Sequence, residues 1–212
     1  MINSRFISFE GGEGSGKSTQ IKLLAKKLSK KRKVIITREP GGTKEAEKIR
    51  NLIVKDKNQK WSGTVETMLL FAARKDHIDK VIMPNLKKGY WVLCDRYIDS
   101  TMAYQGYGKK VDLKLINSLN KILINNLLPS VTFLLDIDPQ TGLTRSKRKG
   151  NNDLRYENMH ISFHRKVRAS FLKIAKTNKS RIKICLLYTS PSPRDQRGSG
   201  MPCWGLKKKT GG

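Results

Sequence analysis

The stretch Gly11-Gly12-Glu13-Gly14-Ser15-Gly16-Lys17-Ser18 decides the fold, because it fits the pattern G-x-x-x-x-G-K-[ST] at every fixed position. It follows the apolar run from Phe6 to Phe9, which predicts a strand, and it precedes a helical pattern that begins at Ser18. Glycines in such a loop let backbone N–H groups converge on an anion, and the helix N-terminus adds roughly half a positive charge. Lys17 can then reach the β- and γ-phosphates, and the Ser18 hydroxyl can ligate Mg²⁺. The stretch therefore predicts a nucleoside triphosphate site.

Short apolar runs alternate along the chain with longer helical patterns, which is typical of an α/β protein. The runs predicted as strands are Phe6 to Phe9, Val34 to Thr37, Trp91 to Asp95 and Val131 to Asp136. Each run is almost continuously apolar, which indicates strands covered on both faces, as in a parallel sheet. Helices are predicted at Ser18 to Leu28, at Glu66 to Ile82 (ending before Met83-Pro84), around Ile116 to Leu127 and around Phe163 to Ile174.

The composition limits the classes of protein to consider. A chain of 212 residues with 37% hydrophobic residues has the size and the core content of one domain. Its 44 basic and 17 acidic residues give a net charge of +27, which invites a nucleic-acid partner. Lysine supplies 30 of the 44 positive charges and is scattered over the predicted helices, so we predict no specific nucleic-acid ligand.

Membrane insertion and secretion are also disfavoured. The longest apolar runs, such as Phe133-Leu134-Leu135, are far too short to cross a bilayer. The three cysteines lack metal-type spacing and suit a reducing compartment, so we expect a cytoplasmic protein. From about Tyr188 the chain becomes rich in proline, glycine and lysine and offers little to bury. We therefore predict a domain over residues 1–187 and an atypical tail, disordered or non-native, over residues 188–212.

Four ordered motifs resemble those of bacterial thymidylate kinases. The segment from Phe9 to Gln20 resembles the opening of that family, and Thr37 to Thr43 resembles its second signature. Leu69 to Arg74 resembles the third signature, and Cys94 to Gly106 resembles the fourth. The resemblance implies a P-loop kinase fold with a five-stranded parallel sheet flanked by helices on both faces. It further implies transfer of the γ-phosphoryl group of ATP to dTMP, and a homodimer. Another small P-loop nucleotide kinase, or less readily an ATP-binding protein associated with nucleic acid, is the alternative.

The resemblance also assigns residues to the acceptor nucleotide. The positions that it implies for dTMP binding are Arg38, Phe71, Arg74, Arg96, Ser100, Tyr104 and Gln105. Arg74 and Arg96 are candidates for a bidentate grip on the phosphate, whereas an arginine on a solvated helix face is the alternative for Arg74. Phe71 would stack on the thymine ring, although its helical spacing with Ile78 equally suits a core residue. Many family members have one more residue before the arginine of this motif. The alignment of this segment can therefore shift by one residue, which leaves the roles of Leu70 and Phe71 open.

Catalysis is expected from Lys17 and Glu13 in the loop and from Asp95 at the sheet edge. Asp95 ends a predicted strand, where ligands bind in open α/β folds, and its carboxylate can hold Lys17 or a water bound to Mg²⁺. A polar strand-end cap is the alternative for Asp95. Some members of the family carry a catalytic arginine directly after the acidic residue of the loop. Here Gly14 follows Glu13, so the positive charge at the transition state must come from elsewhere.

The basic segment from Leu143 to Glu157 is the nearest supply of such charge. In the family this region resembles a mobile lid over ATP, with Glu157 near the metal. The candidate catalytic arginines in this segment are, in order of preference, Arg148, Arg145 and Arg155. A solvated basic loop is the alternative, because charge runs usually face solvent.

Overall fold

Five parallel strands form the sheet, in the order β2-β3-β1-β4-β5. The computed structural model describes residues 2–55, 61–148 and 154–186. The strands are β1 (Phe6–Glu10), β2 (Val34–Arg38), β3 (Trp91–Asp95), β4 (Val131–Asp136) and β5 (Ile182–Leu186). The predicted five-stranded parallel sheet is confirmed, since every neighbouring pair runs parallel.

The register of the sheet brings the ends of three strands together. Arg38 at the end of β2 is level with Asp95 at the end of β3, and Asp95 is level with Phe9 of β1. The glycine-rich loop leaves β1 directly after Glu10. Because the carboxyl ends of parallel strands meet at one edge, the loop, Arg38 and Asp95 share the edge where ligands bind in such folds.

Nine α-helices lie in the described ranges. They are α1 (Lys17–Leu28), α2 (Lys44–Arg50), α3 (Gly63–His77), α4 (Met83–Lys87), α5 (Ile98–Thr101), α6 (Leu113–Ile124), α7 (Pro139–Arg148), α8 (Leu154–Glu157) and α9 (Ile161–Thr177). A 3₁₀ turn covers Ile2–Arg5, and π-helical segments cover Asn51–Lys55, Ile78–Ile82 and Met102–Gly108. Sequence periodicity predicts α1, α3, α6 and α9 but not the shorter helices.

The predicted end of the long helix is wrong. α3 ends at His77, and the chain continues through the π-helical segment into α4 without leaving helical conformation. Pro84 occupies the first turn of α4, where the missing N–H of proline has no helical partner to lose. The proline therefore begins a helix here rather than ending one.

Helices cover both faces of the sheet, as predicted. On one face Ile7, Phe9 and Leu93 pack against Ile21 and other residues of α1. On the other face Phe6, Val92 and Cys94 pack against residues of α3, α4 and α6. Successive strand residues point to opposite faces, which is why the strands read as continuous apolar runs.

Two predictions fall partly or wholly outside the described residues. Within the segment from Leu143 to Glu157, α7 reaches Arg148 and α8 starts at Leu154, but residues 149–153 are not described. The predicted tail over residues 188–212 also lies outside the described ranges. Among the described residues, none of the helices combines the length and the apolar character that crossing a bilayer requires.

Candidate active site

A cavity of about 590 Å³ opens at the carboxyl edge of the sheet, a size typical of small-ligand sites. The loop residues Glu13 to Ser18 line one side of it. Residues from β2, α2, α3, α7 and α8, from the π-helical segment after α2 and from the segment after β3 line the other sides. Of the predicted loop residues, Gly11 and Gly12 lie beneath the cavity, beside α9 and β4.

The loop depends on glycine where it meets α7. Gly14 has a φ of +64°, and a Cβ at this position would overlap the backbone carbonyl of Gly142 in α7. A Cβ at Gly142 would in turn overlap the carbonyl of Glu13. The loop and α7 therefore touch backbone to backbone, and no side chain fits between them.

Lys17 lies at the centre of the loop and is 8% exposed. Its Nζ donates to the carbonyl oxygens of Gly11 and Gly12 at 3.0 and 2.9 Å, and to Ser15 Oγ at 3.3 Å. Burial, together with the nearby positive charge of Arg96, lowers the pKa of Lys17 to about 8. The ammonium group is thus held at the floor of the anion-binding loop, and its pKa lies much nearer to neutral pH than that of an ordinary lysine.

Ser18 and Asp95 meet across the edge of the sheet. Ser18 Oγ donates a hydrogen bond of 3.0 Å to Asp95 Oδ2. A hydroxyl and a carboxylate oxygen are the hard ligands that Mg²⁺ prefers. Ser18 and Asp95 thus supply two such oxygen atoms beside the loop, and Mg²⁺ commonly completes its coordination with substrate phosphates and water. The residues present therefore fit Mg²⁺.

Glu13 is held by three groups on the opposite wall. Tyr104 Oη donates to both of its carboxylate oxygens, Arg96 Nη2 lies 3.2 Å from Oε1, and His164 Nδ1 lies 3.5 Å from Oε2. Burial alone would raise the pKa of Glu13, but His164 and the charges of Arg96 and Lys17 lower it to about 2. Glu13 is therefore a fixed negative charge in the loop.

Arg96 links this wall to the loop. Its backbone has a φ of 67°, and its Nη1 donates to the Gly11 carbonyl at 3.0 Å and to Ser100 Oγ at 3.2 Å. Ser100 Oγ in turn donates to Glu10 Oε2 at 2.6 Å, and the backbone N–H of Tyr97 donates to Glu10 Oε1 at 2.7 Å. Glu10, which sequence analysis did not single out, thus fixes the turn after β3 that presents Arg96.

Arg74 is buried, not on a solvated helix face. It is 3% exposed, its Nε donates to Glu39 Oε2 at 2.6 Å, and its Nη2 donates to Thr101 Oγ1 at 2.9 Å. His77 Nδ1 lies 3.1 Å from the other oxygen of Glu39. The remaining Nη1 has no hydrogen-bond partner among the described residues, although Arg74 lines the cavity. An unpaired buried guanidinium nitrogen beside a cavity is costly unless an anionic ligand completes it.

Phe71 does not fit its predicted role. It is fully buried in the core with Ile78 and Ile82, and its ring lies against the Arg74 guanidinium, 5.0 Å from centroid to Cζ. Leu70, one position earlier, lines the cavity instead. Each residue along a helix turns the side chain by about 100°, so a shift of one position exchanges the core for the cavity.

The predicted arginines of the basic segment do not line the cavity. Arg145 and Arg148 are exposed on α7. Arg155 is turned away, since its Nη1 donates to the Ile53 carbonyl at 2.8 Å and its Nη2 pairs with Glu66 at 3.1 Å. Glu157 does line the cavity, 5% exposed, and accepts a 2.5 Å hydrogen bond from Ser146.

The remaining predicted residues line the cavity. Arg38 is more than half exposed and pairs with Glu47 at 3.0 Å, and Ser100, Tyr104 and Gln105 form the wall after β3. Sequence analysis missed Arg50, Ile53 and Tyr156, which also line it. Two signals in the sequence could have predicted α2 and, with it, the position of Arg50. They are Thr43, which caps the helix, and the acidic residues in the first turn of the helix.

Comparisons with known proteins show the family of the chain. The family model described as thymidylate kinase matches residues 9–196, which extends past the predicted domain boundary at residue 187. The thymidylate kinase of Magnetococcus marinus is 46% identical over 182 residues, covering 85% of this chain and 87% of the relative. That of Wolbachia sp. subsp. Brugia malayi is 49% identical, covering 84% and 85%. A crystal structure of thymidylate kinase from Ehrlichia chaffeensis matches with a TM-score of 0.71 and 39% identity, covering 85% of this chain and 91% of that one. The chain therefore belongs to the thymidylate kinase family, has the predicted P-loop kinase fold, and transfers the γ-phosphoryl group of ATP to dTMP.

Proposed function

We propose that ATP and dTMP meet in the cavity at the sheet edge, with the ATP phosphates on the loop and the dTMP phosphate at Arg74. The observation that carries this assignment is that one cavity contains both Lys17 and the buried Arg74, whose Nη1 has no partner among the described residues. Arg38 and Arg96 add positive charge to the same cavity, and Ser100, Tyr104 and Gln105 supply polar groups for the nucleoside.

Positioning and charge neutralisation carry most of such a reaction. Lys17 neutralises the transferring group at the floor of the loop, and Arg96 bridges the loop and the acceptor wall. Glu13, held by Tyr104 and Arg96, is the acidic residue of the loop that we propose for catalysis. Asp95 positions Lys17 and Ser18 from the sheet edge. Arg148 and Arg145, on the helix that packs against the loop, are the further candidates for transition-state charge.

Ser18, Asp95 and Glu157 are the residues that we propose for Mg²⁺. When bound, the ion neutralises charge on the phosphate oxygens. The Ser18–Asp95 hydrogen bond keeps the hydroxyl and the carboxylate facing the loop, and Ser146 fixes the carboxylate of Glu157 at the cavity wall. The hydroxyl of Ser18 and the carboxylates of Asp95 and Glu157 all supply oxygen ligands, which Mg²⁺ prefers.

A homodimer and a cytoplasmic location are the last parts of the proposal. Val65 and Met68 on α3 and Ile122 on α6 are 38%, 51% and 72% exposed, which is a large apolar exposure for neighbouring helices. Cys94 is a buried thiol that forms no disulfide within the described residues, as suits a reducing compartment. Sedimentation of wild-type protein and of a Met68→Glu variant tests the dimer, which the new charges would dissociate.

Calorimetric binding of dTMP and of thymidine, which lacks the phosphate, tests the phosphate site. We expect the wild type to bind dTMP far more tightly than thymidine, and Arg74→Gln to lose most of that difference. ATP binding should be almost unchanged in this variant, because Lys17 and the loop are intact. Equal losses of dTMP and thymidine binding would contradict the assignment of the phosphate to Arg74.

A further inference from the structure

Gln105 presents one end of its amide to a carboxylate. Its nitrogen lies 2.6 Å from Glu66 Oε1 and 3.0 Å from Tyr156 Oη. A carboxylate only accepts hydrogen bonds, so the nitrogen, not the oxygen, of the amide must face Glu66. Both side-chain amide hydrogens are therefore used, and no described group donates to the side-chain oxygen Oε1 of Gln105, although the residue lines the cavity.

Glu66 is fixed in turn by a ring of donors. It is fully buried on α3, and Lys109 Nζ and Arg155 Nη2 contact its Oε2 at 2.7 and 3.1 Å. The Tyr156 hydroxyl donates to Oε1, the oxygen that Gln105 uses. Burial and the charge of Glu66 raise the pKa of Tyr156 well above its usual value, so this hydroxyl keeps its proton. Lys109 and Arg155 thus hold Oε2 of Glu66, and Oε1 accepts hydrogen bonds from Gln105 and Tyr156.

We propose that Glu66 is a specificity-determining positioning residue, which makes Gln105 present only a hydrogen-bond acceptor to the base. The proposal rests on the assignment of Gln105 to the nucleoside pocket in the proposed function. Thymine carries a donor, N3–H, on the edge where cytosine carries an acceptor, N3. The side-chain oxygen of Gln105, held as an acceptor, forms a hydrogen bond with N3–H of thymine. With cytosine it faces N3, a second acceptor, and no hydrogen bond forms. Glu66, which contacts no substrate in this arrangement, thereby selects the base.

The substitution Glu66→Gln should reverse this polarity. The new amide must turn its oxygen toward Lys109 and Arg155, because an amide nitrogen there would face two cations. Its nitrogen then faces Gln105, which accepts with its own oxygen and turns its NH₂ to the cavity. A donor now meets the base, which suits N3 of cytosine.

The test compares kcat/KM for dTMP and for 5-methyl-dCMP, two acceptors that share the 5-methyl group and the deoxyribose. In the wild type dTMP should be strongly preferred. In Glu66→Gln we expect the ratio to fall by roughly tenfold or more, the size expected when a buried hydrogen bond is mismatched. A ratio unchanged from wild type in folded Glu66→Gln would overturn the proposal.

A double variant separates the effect of hydrogen-bond direction between positions 66 and 105 from the effect on protein stability. In Glu66→Gln/Gln105→Glu, the amide introduced at position 66 donates to one oxygen of the new carboxylate, and the other oxygen again offers an acceptor to the base. The preference for dTMP should return, whereas a merely structural role for Glu66 predicts no return. This variant also tests the proposal if the single variant does not fold, since a folded double variant without thymine preference would contradict it.

Two controls complete the design. Lys109→Met removes an ion pair from Glu66 Oε2 but leaves the contact of Oε1 with Gln105, so stability should fall while the ratio stays within about twofold of wild type. If the ratio of kcat/KM for dTMP to that for 5-methyl-dCMP fell tenfold in Lys109→Met as well, any damage to the buried cluster would relax selectivity, and the proposal would be contradicted. Gln105→Ala reports on the proposed function itself. If kcat/KM for dTMP is unchanged in that variant, the pocket assignment fails; if it falls but Glu66→Gln leaves the ratio intact, only the inference about Glu66 fails.

Discussion

The hydroxyl of Tyr104 donates to both carboxylate oxygens of Glu13, at 2.8 and 2.9 Å. The same ring lies on the Arg96 guanidinium, 5.1 Å from centroid to Cζ. One aromatic side chain thus fixes the negative charge of the loop and the arginine that bridges to the acceptor wall. The ring itself lines the cavity, so the hydroxyl and the ring have separable effects.

Substitutions at Tyr104 should separate these effects. Tyr104→Phe removes the hydrogen bonds to Glu13, so we expect the pKa of Glu13 to rise from about 2 and kcat to fall by roughly tenfold. We further predict that the aromatic ring at position 104 crowds a ribose 2′-hydroxyl and so favours deoxyribonucleotides. The ring remains in Tyr104→Phe, so this preference should persist. Tyr104→Ala should weaken that preference. The measurement is kcat/KM for dTMP and for ribothymidine 5′-monophosphate, and an identical preference in Tyr104→Ala would argue against a steric role.

Lys17 should make activity depend on pH. Because its pKa in the folded protein is about 8, free enzyme above that pH loses the charge that binds phosphate, and kcat/KM for ATP should fall about tenfold per pH unit. Bound phosphates favour the charged form, so the decline in kcat should begin at higher pH. In unfolded chain Lys17 keeps its proton to about 10.5, so its contribution to stability should rise between pH 8 and 10.5.

The assignment of that decline to Lys17 needs its own control, since burial and the charge of Asp99 also raise the pKa of Glu10 to about 8. Lys17→Arg keeps a positive charge at every accessible pH. Its residual activity should therefore show no decline near pH 8. A decline that persists in Lys17→Arg and vanishes in Glu10→Gln would assign the titration to Glu10.

Gly14 should be intolerant of any side chain. Gly14→Ala places a Cβ against the Gly142 carbonyl at a φ that L residues rarely adopt, so the loop and α7 must separate. We expect a loss of about 2 kcal/mol or more in the free energy of unfolding, measured by urea denaturation. Gly12→Ala is the matched control for stability, because no atom lies within 4 Å of a Cβ there. Equal losses in both variants would contradict the close packing of loop and helix.

Arg148 and Arg145 remain the candidates for transition-state charge outside the cavity. They lie on α7, one to two turns beyond the contact of Gly142 with the loop. We expect Arg148→Ala to lower kcat more than it raises KM for dTMP, because the interaction would form only in the reacting complex. Arg155→Ala should act mainly on stability, through Ile53 and Glu66. Near-normal kcat in both Arg148→Ala and Arg145→Ala would leave Arg96 or Arg74 as the source of the charge.

The sequence alone predicts the parts of the site that depend on a local motif or on the parallel order of the strands. The loop residues follow from one motif, and the meeting of Ser18 with Asp95 follows from two strands that end at the same edge. Sequence failed where the answer depends on which neighbours a side chain meets. Phe71 and Leu70 differ by one position on a helix, and only the packed core decides which of them reaches the cavity.

Buried polar partners distant in sequence were likewise beyond prediction. Arg155 was expected to act on ATP, but Glu66 of α3 and the Ile53 carbonyl hold it in a structural role. Glu66 itself lies in a helical pattern where a charged residue predicts a solvated face, whereas four donors make its complete burial possible. Such networks appear only once the helices that carry the partners are packed.

The most direct test of the account is a panel of nucleoside monophosphates as acceptors, with ATP and Mg²⁺, followed by ADP release. We predict that kcat/KM is highest for dTMP, lower for dUMP and far lower for dCMP, dAMP and dGMP. Lys17→Ala should abolish turnover of all of them while its melting temperature stays close to that of the wild type. If dCMP, dAMP or dGMP were phosphorylated faster than dTMP, or if Lys17→Ala kept normal turnover, the cavity would not be the thymidylate site described here.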